Sequence, residues 1–448
     1  MEPLREECGS YMPGFFRMKL EFPFNDSRLV LYNLSKRNQA SFFHEYFHFL
    51  QDITTFWGLN NIYVYSEFIH QANRIIYEQP KGELHLPIKI AFDKTNVAAN
   101  QWALKNTIGD YEEYDTLFIL KYKKKKVSIP FVCSYIKKIT KIVLTIQGHH
   151  KIEFGARAIM ESMAYLIEHR VAPGGRAPKE YPYLAAEFLS KFIYPDFAND
   201  DLRLIALCDV SLMFSEPGKI FVEALEEYKA ENSLPSPEDI YNKYYASKIL
   251  NMGYAKFLQE SYLQFADMVA DRLKLYMNNT PYKVPIGLNY KIVRVPPVQI
   301  AEFSHFHRSI DNLIGFGIKI RLENPFFYLK LARGGVTYDN QWLCYAVNTT
   351  GFPLIEDINH DFFKIPSSVI KDSMDIFFAI EQINNTFESG QDICGMIEIC
   401  TKSQEINPPV DDRCYLYPWV RVNEANLCPY AFLWRHWNLA SRQNVKID

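Results

Sequence analysis

Apolar and polar positions largely alternate from Phe15 to Phe24, and apolar residues run together from Arg28 to Leu34, two β-like runs joined by the turn-prone Asn25-Asp26-Ser27. That pattern predicts an amino-terminal β-hairpin. From about Ser35 to Trp57 the spacing becomes helical, and Gly58 stands where such a helix would terminate. A second helix is expected over Asn61 to Tyr77. Leu84 to Ile90, Leu117 to Tyr122 and Val127 to Cys133 read as extended. Lys141 to Gln147 and Lys151 to Phe154 flank Gly148-His149-His150 and read as another hairpin. Gly155 to Arg170 returns to helical spacing, with Ile159, Met163, Leu166 and Ile167 as its apolar stripe. The stretch from Ala172 to Pro178 is the clearest loop in the chain.

Tyr183 to Met277 reads as several consecutive helices, and Pro281 to Pro297 as a connector punctuated by proline. Helical stretches over Val298 to Ile320 and Ser367 to Phe387 follow, then an irregular tail rich in Cys, Pro and Trp. No repeat of fixed period is present. The class expected is α+β, dominated by helices, in three regions: 1–175, a helical 176–280, and an α+β 281–448.

Composition narrows the function. At 448 residues, with 15% aromatic and 23% charged side chains, the chain can bury a large core and reads as globular. A formal charge of −3 gives no footprint for nucleic acid or an anionic membrane. The basic run Lys121 to Lys126 is expected to be a solvated turn. The acidic first residues lack the apolar run of a secretory signal, and no window is long and apolar enough to span a bilayer. Eight scattered cysteines are too sparse for a disulfide scaffold. Together these predict a cytoplasmic protein with reduced thiols.

The candidate chemistry lies at residues 44 to 48, His-Glu-Tyr-Phe-His. On a helix, His44 and His48 share a face one turn apart and can hold one Zn²⁺, while Glu45 projects beside it as a general base without ligating. Phe42, Phe43, Tyr46, Phe47, Phe49, Leu50 and Ile53 make this helix apolar around most of its circumference, so it must be buried and its polar groups satisfied from within. A hydrolytic zinc site needs a third protein ligand. Glu161, in an otherwise apolar turn beside Met160 and Met163, is the first candidate. Glu168 is the next, and His149, His150 or His169 are further options. Asp52, one turn beyond His48, can either orient a ligand imidazole or cap another segment of chain.

His44-Glu45-x-x-His48 with a downstream helix carrying Glu161 resembles the gluzincin branch of the zincin metallopeptidases. The resemblance covers about twenty residues around each motif and does not reach residues 200 to 448. It implies a zincin-like catalytic region within 1–175, Zn²⁺ as cofactor, His44, His48 and Glu161 as ligands, and Glu45 as acid/base. Tyr165, a turn after Glu161, is a candidate oxyanion donor, as Tyr or His is in related enzymes. The gap of more than one hundred residues from His48 to Glu161 is longer than in compact thermolysin-like enzymes and implies an inserted subdomain. The metzincin pattern is absent, since Gln51 and Thr54 stand where it needs Gly and His.

The expectation is a zinc-dependent hydrolase, a metallopeptidase acting on a peptide or protein substrate, with a regulatory protein partner left open. The alternatives are a regulatory or interaction protein that keeps the metal for structure or sensing, or a partner-activated protease effector of a bacterial defence or stress system. The cysteines at 394, 400, 414 and 428 are spaced too widely for a second zinc site and read as buried thiols.

Overall fold

The computed structural model describes residues 4–6, 9–24, 33–80, 82–89, 96–128, 130, 138–175, 177–246, 282–286, 289–293, 315–363, 374–402, 409–436, 439–442 and 444–447. Its class is mixed α+β with helices in the majority, as the pattern predicts.

Three short strands open the chain: β1 (Leu4–Glu6), β2 (Gly9–Met12) and β3 (Arg17–Leu20). The hairpin therefore forms earlier than Phe15–Phe24 predicts. Met12-Pro13-Gly14 is the turn signal, Gly14 and Phe16 take positive φ (77° and 53°), and Phe15 and Phe16 are buried in the turn and not in a strand. The proposed partner strand, Arg28 to Leu34, falls mostly outside the described residues.

Helix α1 (Lys36–Thr54) begins at Ser35, whose hydroxyl accepts the Asn38 N–H at 3.1 Å. It ends at Thr55 and not at Gly58, because Thr55 is extended and its hydroxyl caps α2 (Phe56–Glu78) by accepting the Gly58 N–H. Gly58 lies in the first turn of α2 for a different reason from termination. A Cβ there would sit 2.3 Å from the Asp52 Cα, so only glycine lets the chain fold back this tightly.

Next come β4 (Glu83–Leu86), α3 (Asn96–Thr107), and a meander of β5 (Ile119–Ser128), β6 (Lys138–Ile146) and β7 (Lys151–Phe154), antiparallel throughout. The basic run Lys121 to Lys126 is solvated but lies inside β5 and not in a turn. As the edge of this sheet, β5 carries a row of lysines that discourages pairing with other chains. The β6–β7 hairpin forms as expected around Gly148, at φ 79°. Helix α4 (Ala156–Val171) follows, and after it α5 (Ala185–Ile193), α6 (Asp201–Leu212) and α7 (Pro217–Ala230).

Residues 247–281 lie outside the described set. Within the proline-punctuated connector, β8 (Tyr282–Ile286) and β9 (Asn289–Val293) pair as an antiparallel hairpin. Residues 315–323 are helical, and α8 (Phe327–Arg333) and α9 (Gln341–Thr350) lead to β10 (Leu354–Glu356) and β11 (Phe362–Phe363). The tail is more regular than its composition implies, with α10 (Met374–Ser389), α11 (Ile397–Lys402), α12 (Asp412–Leu416), α13 (Pro429–His436) and β12 (Asn444–Ile447). Among the described residues no helix is long and apolar enough to cross a membrane.

The main sheet runs β1-β2-β3-β10-β11, and β3 joins β10 in parallel with Arg17 opposite Leu354 and Lys19 opposite Glu356. Strand alternation sorts its two faces. Tyr11, Met18 and Leu20 are buried toward α1, while Ser10, Met12, Arg17 and Lys19 turn the other way. Helix α1 is thus held between this sheet and α4, and every side chain from Ala40 to Thr54 is buried.

Candidate metal centre

Helices α1 and α4 bring His44, His48 and Glu161 together although more than one hundred residues separate the two motifs. Each of the three side chains is at most 1% exposed. The Nε2 atoms of His44 and His48 lie 3.1 Å apart, and each is 3.1 Å from Glu161 Oε2. Three donor atoms therefore form an equilateral triangle. A tetrahedral ion with bonds of about 2.0–2.1 Å spaces its donors by about 3.3 Å, close to what is found.

The groups behind the imidazoles, a hydrogen bond at His48 and a facing carboxylate at His44, set which nitrogen carries the proton. Gln51 Nε2 donates to the Met160 carbonyl at 3.0 Å, so its Oε1 must accept from His48 Nδ1 at 2.8 Å. His44 Nδ1 faces Glu168 Oε2 at 3.4 Å. With Nδ1 protonated on both rings, neutral imidazoles turn their Nε2 lone pairs on the Glu161 carboxylate. Three lone pairs converging at 3.1 Å repel unless a cation or shared protons lie among them. Burial alone would raise the Glu161 carboxyl. When the rings instead carry protons on Nε2, the positive charge of His48 and the hydrogen bonds from His44 and His48 reverse this and hold it well below the usual carboxylate range. Positive charge at the centre of the triangle is thus what keeps Glu161 ionised. Glu161 Oε1 has no hydrogen-bond partner among the described residues. These residues fit a divalent cation.

Glu45, the residue after His44, is fully buried. Strand β2 passes directly over it: a Cβ on Gly9 would stand 3.0 Å from Glu45 Cγ and 3.1 Å from Oε1. Glycine at this position is what lets the sheet close on the carboxylate.

The remaining candidates fall elsewhere. Glu168 is buried in α4 behind His44 and does not join the triangle. His149, His150 and His169 are exposed. The ring of Tyr165 is half-buried and stacks on His169. Asp52 takes the capping role, accepting Tyr11 O–H at 3.0 Å and Gly14 N–H at 2.5 Å, which ties the β2–β3 turn to α1. Gln51, three residues after His48 on the same helical face, is the imidazole partner that the sequence reading passed over. Two aromatic neighbours were also missed. Tyr11 stacks on His48 with ring centroids 6.5 Å apart, and Tyr183 lies 5.7 Å from His44. Both are remote in sequence from the motif, and only the fold brings them in.

Burial pushes the Asp52 carboxyl up to about 7, against the pull of its hydrogen bonds from Gly14 and Tyr11. Its folded-state value thus lies above the ordinary 3.8. Between these two values the folded protein holds a proton that the unfolded chain has released, so stability falls as pH rises through this window. Asp52→Asn is expected to lose that part of the slope. Urea unfolding of parent and variant at pH 4.5, 5.5 and 6.5 measures it, and parallel curves would exclude the assignment.

Compared with family models, with curated proteins and with solved structures, the chain matches none.

Proposed function

We propose that this protein is a zinc-dependent hydrolase, a metallopeptidase of the gluzincin kind, acting on a peptide or protein substrate. The observation that carries the reading is the triangle of lone pairs from His44, His48 and Glu161, each turned inward by a hydrogen bond or by its helix. His44, His48 and Glu161 would hold the zinc ion, which would supply Lewis acidity toward a carbonyl oxygen and toward water. The chain's own part is to place and shield. Gln51 fixes the His48 imidazole by a hydrogen bond, and the Glu168 carboxylate faces His44 Nδ1. Glu45, on the same helix but outside the triangle, takes up a proton at its carboxylate and hands it to the leaving amine. The rings of Tyr11, against His48, and Tyr183, against His44, keep bulk water out and strengthen each of these interactions.

A second reading also has a specific observation in its favour. His44, Glu45, His48 and Glu161 are all buried, with β2 closed over Glu45, as in sites where a metal serves structure or sensing. In a hydrolase the same burial describes a closed resting state from which the sheet must move, and a protein partner is one agent of such opening.

Metal analysis of the purified protein beside His48→Ala tests the reading. The variant is expected to contain about one zinc per chain less than the parent, and a chelator to abolish cleavage of a mixed peptide library. Equal zinc content in the two proteins would sink the proposal. Zinc lost in the variant, with no cleavage by the parent, would favour the structural role.

A further inference from the structure

On the face of the main sheet turned away from α1 lies a cavity of about 690 Å³. Its walls carry four carboxylates, Glu21, Glu356, Glu381 and Glu398, against only two permanently cationic side chains, Arg17 and Lys19. Arg17 is already committed. Its guanidinium bonds Glu381 through Nε (2.8 Å) and Nη2 (2.6 Å) and Glu356 Oε2 through Nη1 (2.8 Å). That grip leaves Glu356 Oε1 facing His360 Nδ1 at 2.8 Å. The same nitrogen lies 2.7 Å from Glu398 Oε2.

These three donors come from separate stretches: Glu356 from the end of β10, His360 from the turn beyond it, and Glu398 from α11. One imidazole nitrogen and two carboxylate oxygens lie within 4.8 Å of one another. A proton on Nδ1 points at one carboxylate at a time, whereas a cation among the three satisfies both. The cavity lies open beside them and leaves room for water to complete the coordination. Glu356 is largely buried and is oriented from behind by Arg17, which is how ligating carboxylates are commonly fixed.

We propose that Glu356, His360 and Glu398 form a second divalent-cation site, distinct from the His44–His48–Glu161 triangle and on the opposite side of the sheet. One imidazole with two carboxylates suits a first-row ion such as Zn²⁺ or Mn²⁺ better than a soft, thiolate-seeking one. The bound ion would pin α11 to the strand that carries Glu356, and through Arg17 to β3. This inference does not depend on the hydrolase reading.

Zn²⁺ titration of the chelator-stripped, full-length protein by calorimetry, with metal counting after gel filtration, tests it. The parent is expected to take up two equivalents. His360→Ala and Glu398→Gln should each take up one, His48→Ala one, and His48→Ala with Glu398→Gln none. Glu398 is more than half exposed, so its variant should fold as the parent does. Should both His360→Ala and Glu398→Gln keep the parent's stoichiometry, the second site is overturned. A loss in those two variants with none in His48→Ala would support this site while removing the support for the proposed function.

Discussion

Glu45→Gln is expected to lower peptide hydrolysis by about 10²- to 10⁴-fold while leaving zinc content unchanged. The amide has nearly the same size as the carboxylate, so the contact with Gly9 survives and α1 keeps its place. What disappears is the ability to accept a proton, and the loss should therefore fall on kcat and not on KM. Steady-state kinetics on the best library peptide, together with metal analysis, measure both quantities. Full activity in the variant would remove Glu45 from the chemistry. Lost zinc would mean that the side chain supports the triangle and that the rate cannot be interpreted alone.

Arg321→Leu is expected to destabilise the protein by about 3–5 kcal/mol, the usual consequence of stripping one partner from a buried ion pair. Asp209, fully buried in α6, receives Arg321 Nη1 and Nη2 at 2.9 and 3.0 Å and the Tyr241 hydroxyl at 2.7 Å. Burial already pushes the Asp209 carboxyl up, against the pull of Arg321 and Tyr241. With Arg321 gone, only Tyr241 remains among the partners described. Asp209→Leu combined with Arg321→Leu should regain most of the loss, since neither charge is then stranded. Urea denaturation gives both values, and a loss below about 1 kcal/mol for Arg321→Leu would mean that water reaches the pair.

The parts of this architecture that local chemistry decides could be read from the sequence. His44 and His48 had to share a helical face because α1 has a capping serine and is apolar around most of its circumference. Glu161 stood out as a carboxylate in an apolar turn, and α4 carries it to the two imidazoles. The β6–β7 hairpin followed from alternation around a glycine. Other features depend on long-range pairing that no local window encodes. Gly58 was read as a helix stop because glycine usually serves that role, whereas here it relieves a backbone clash with Asp52. Lys121 to Lys126 reads as a solvated turn because it sits between two β-rich stretches, yet an edge strand with largely solvated faces accepts it. Gln51 was noticed only as a departure from another motif, although its spacing from His48 was itself the signal.

The parallel joining of β3 to β10 has a consequence for biosynthesis. Residues 17–19 pair with β2 at once but find their second neighbour, β10, only after residue 356 has been made, by which time α1 and α4 have long been available to meet. Contacts so distant in sequence form slowly. If the centre takes a metal as proposed, an ion therefore has a window in which to reach the imidazoles before the completed sheet carrying Gly9 settles over them. On the proposed reading, a chain that folds without zinc would close the strand over the three donors first, and ion added afterwards would enter only as fast as that strand moves.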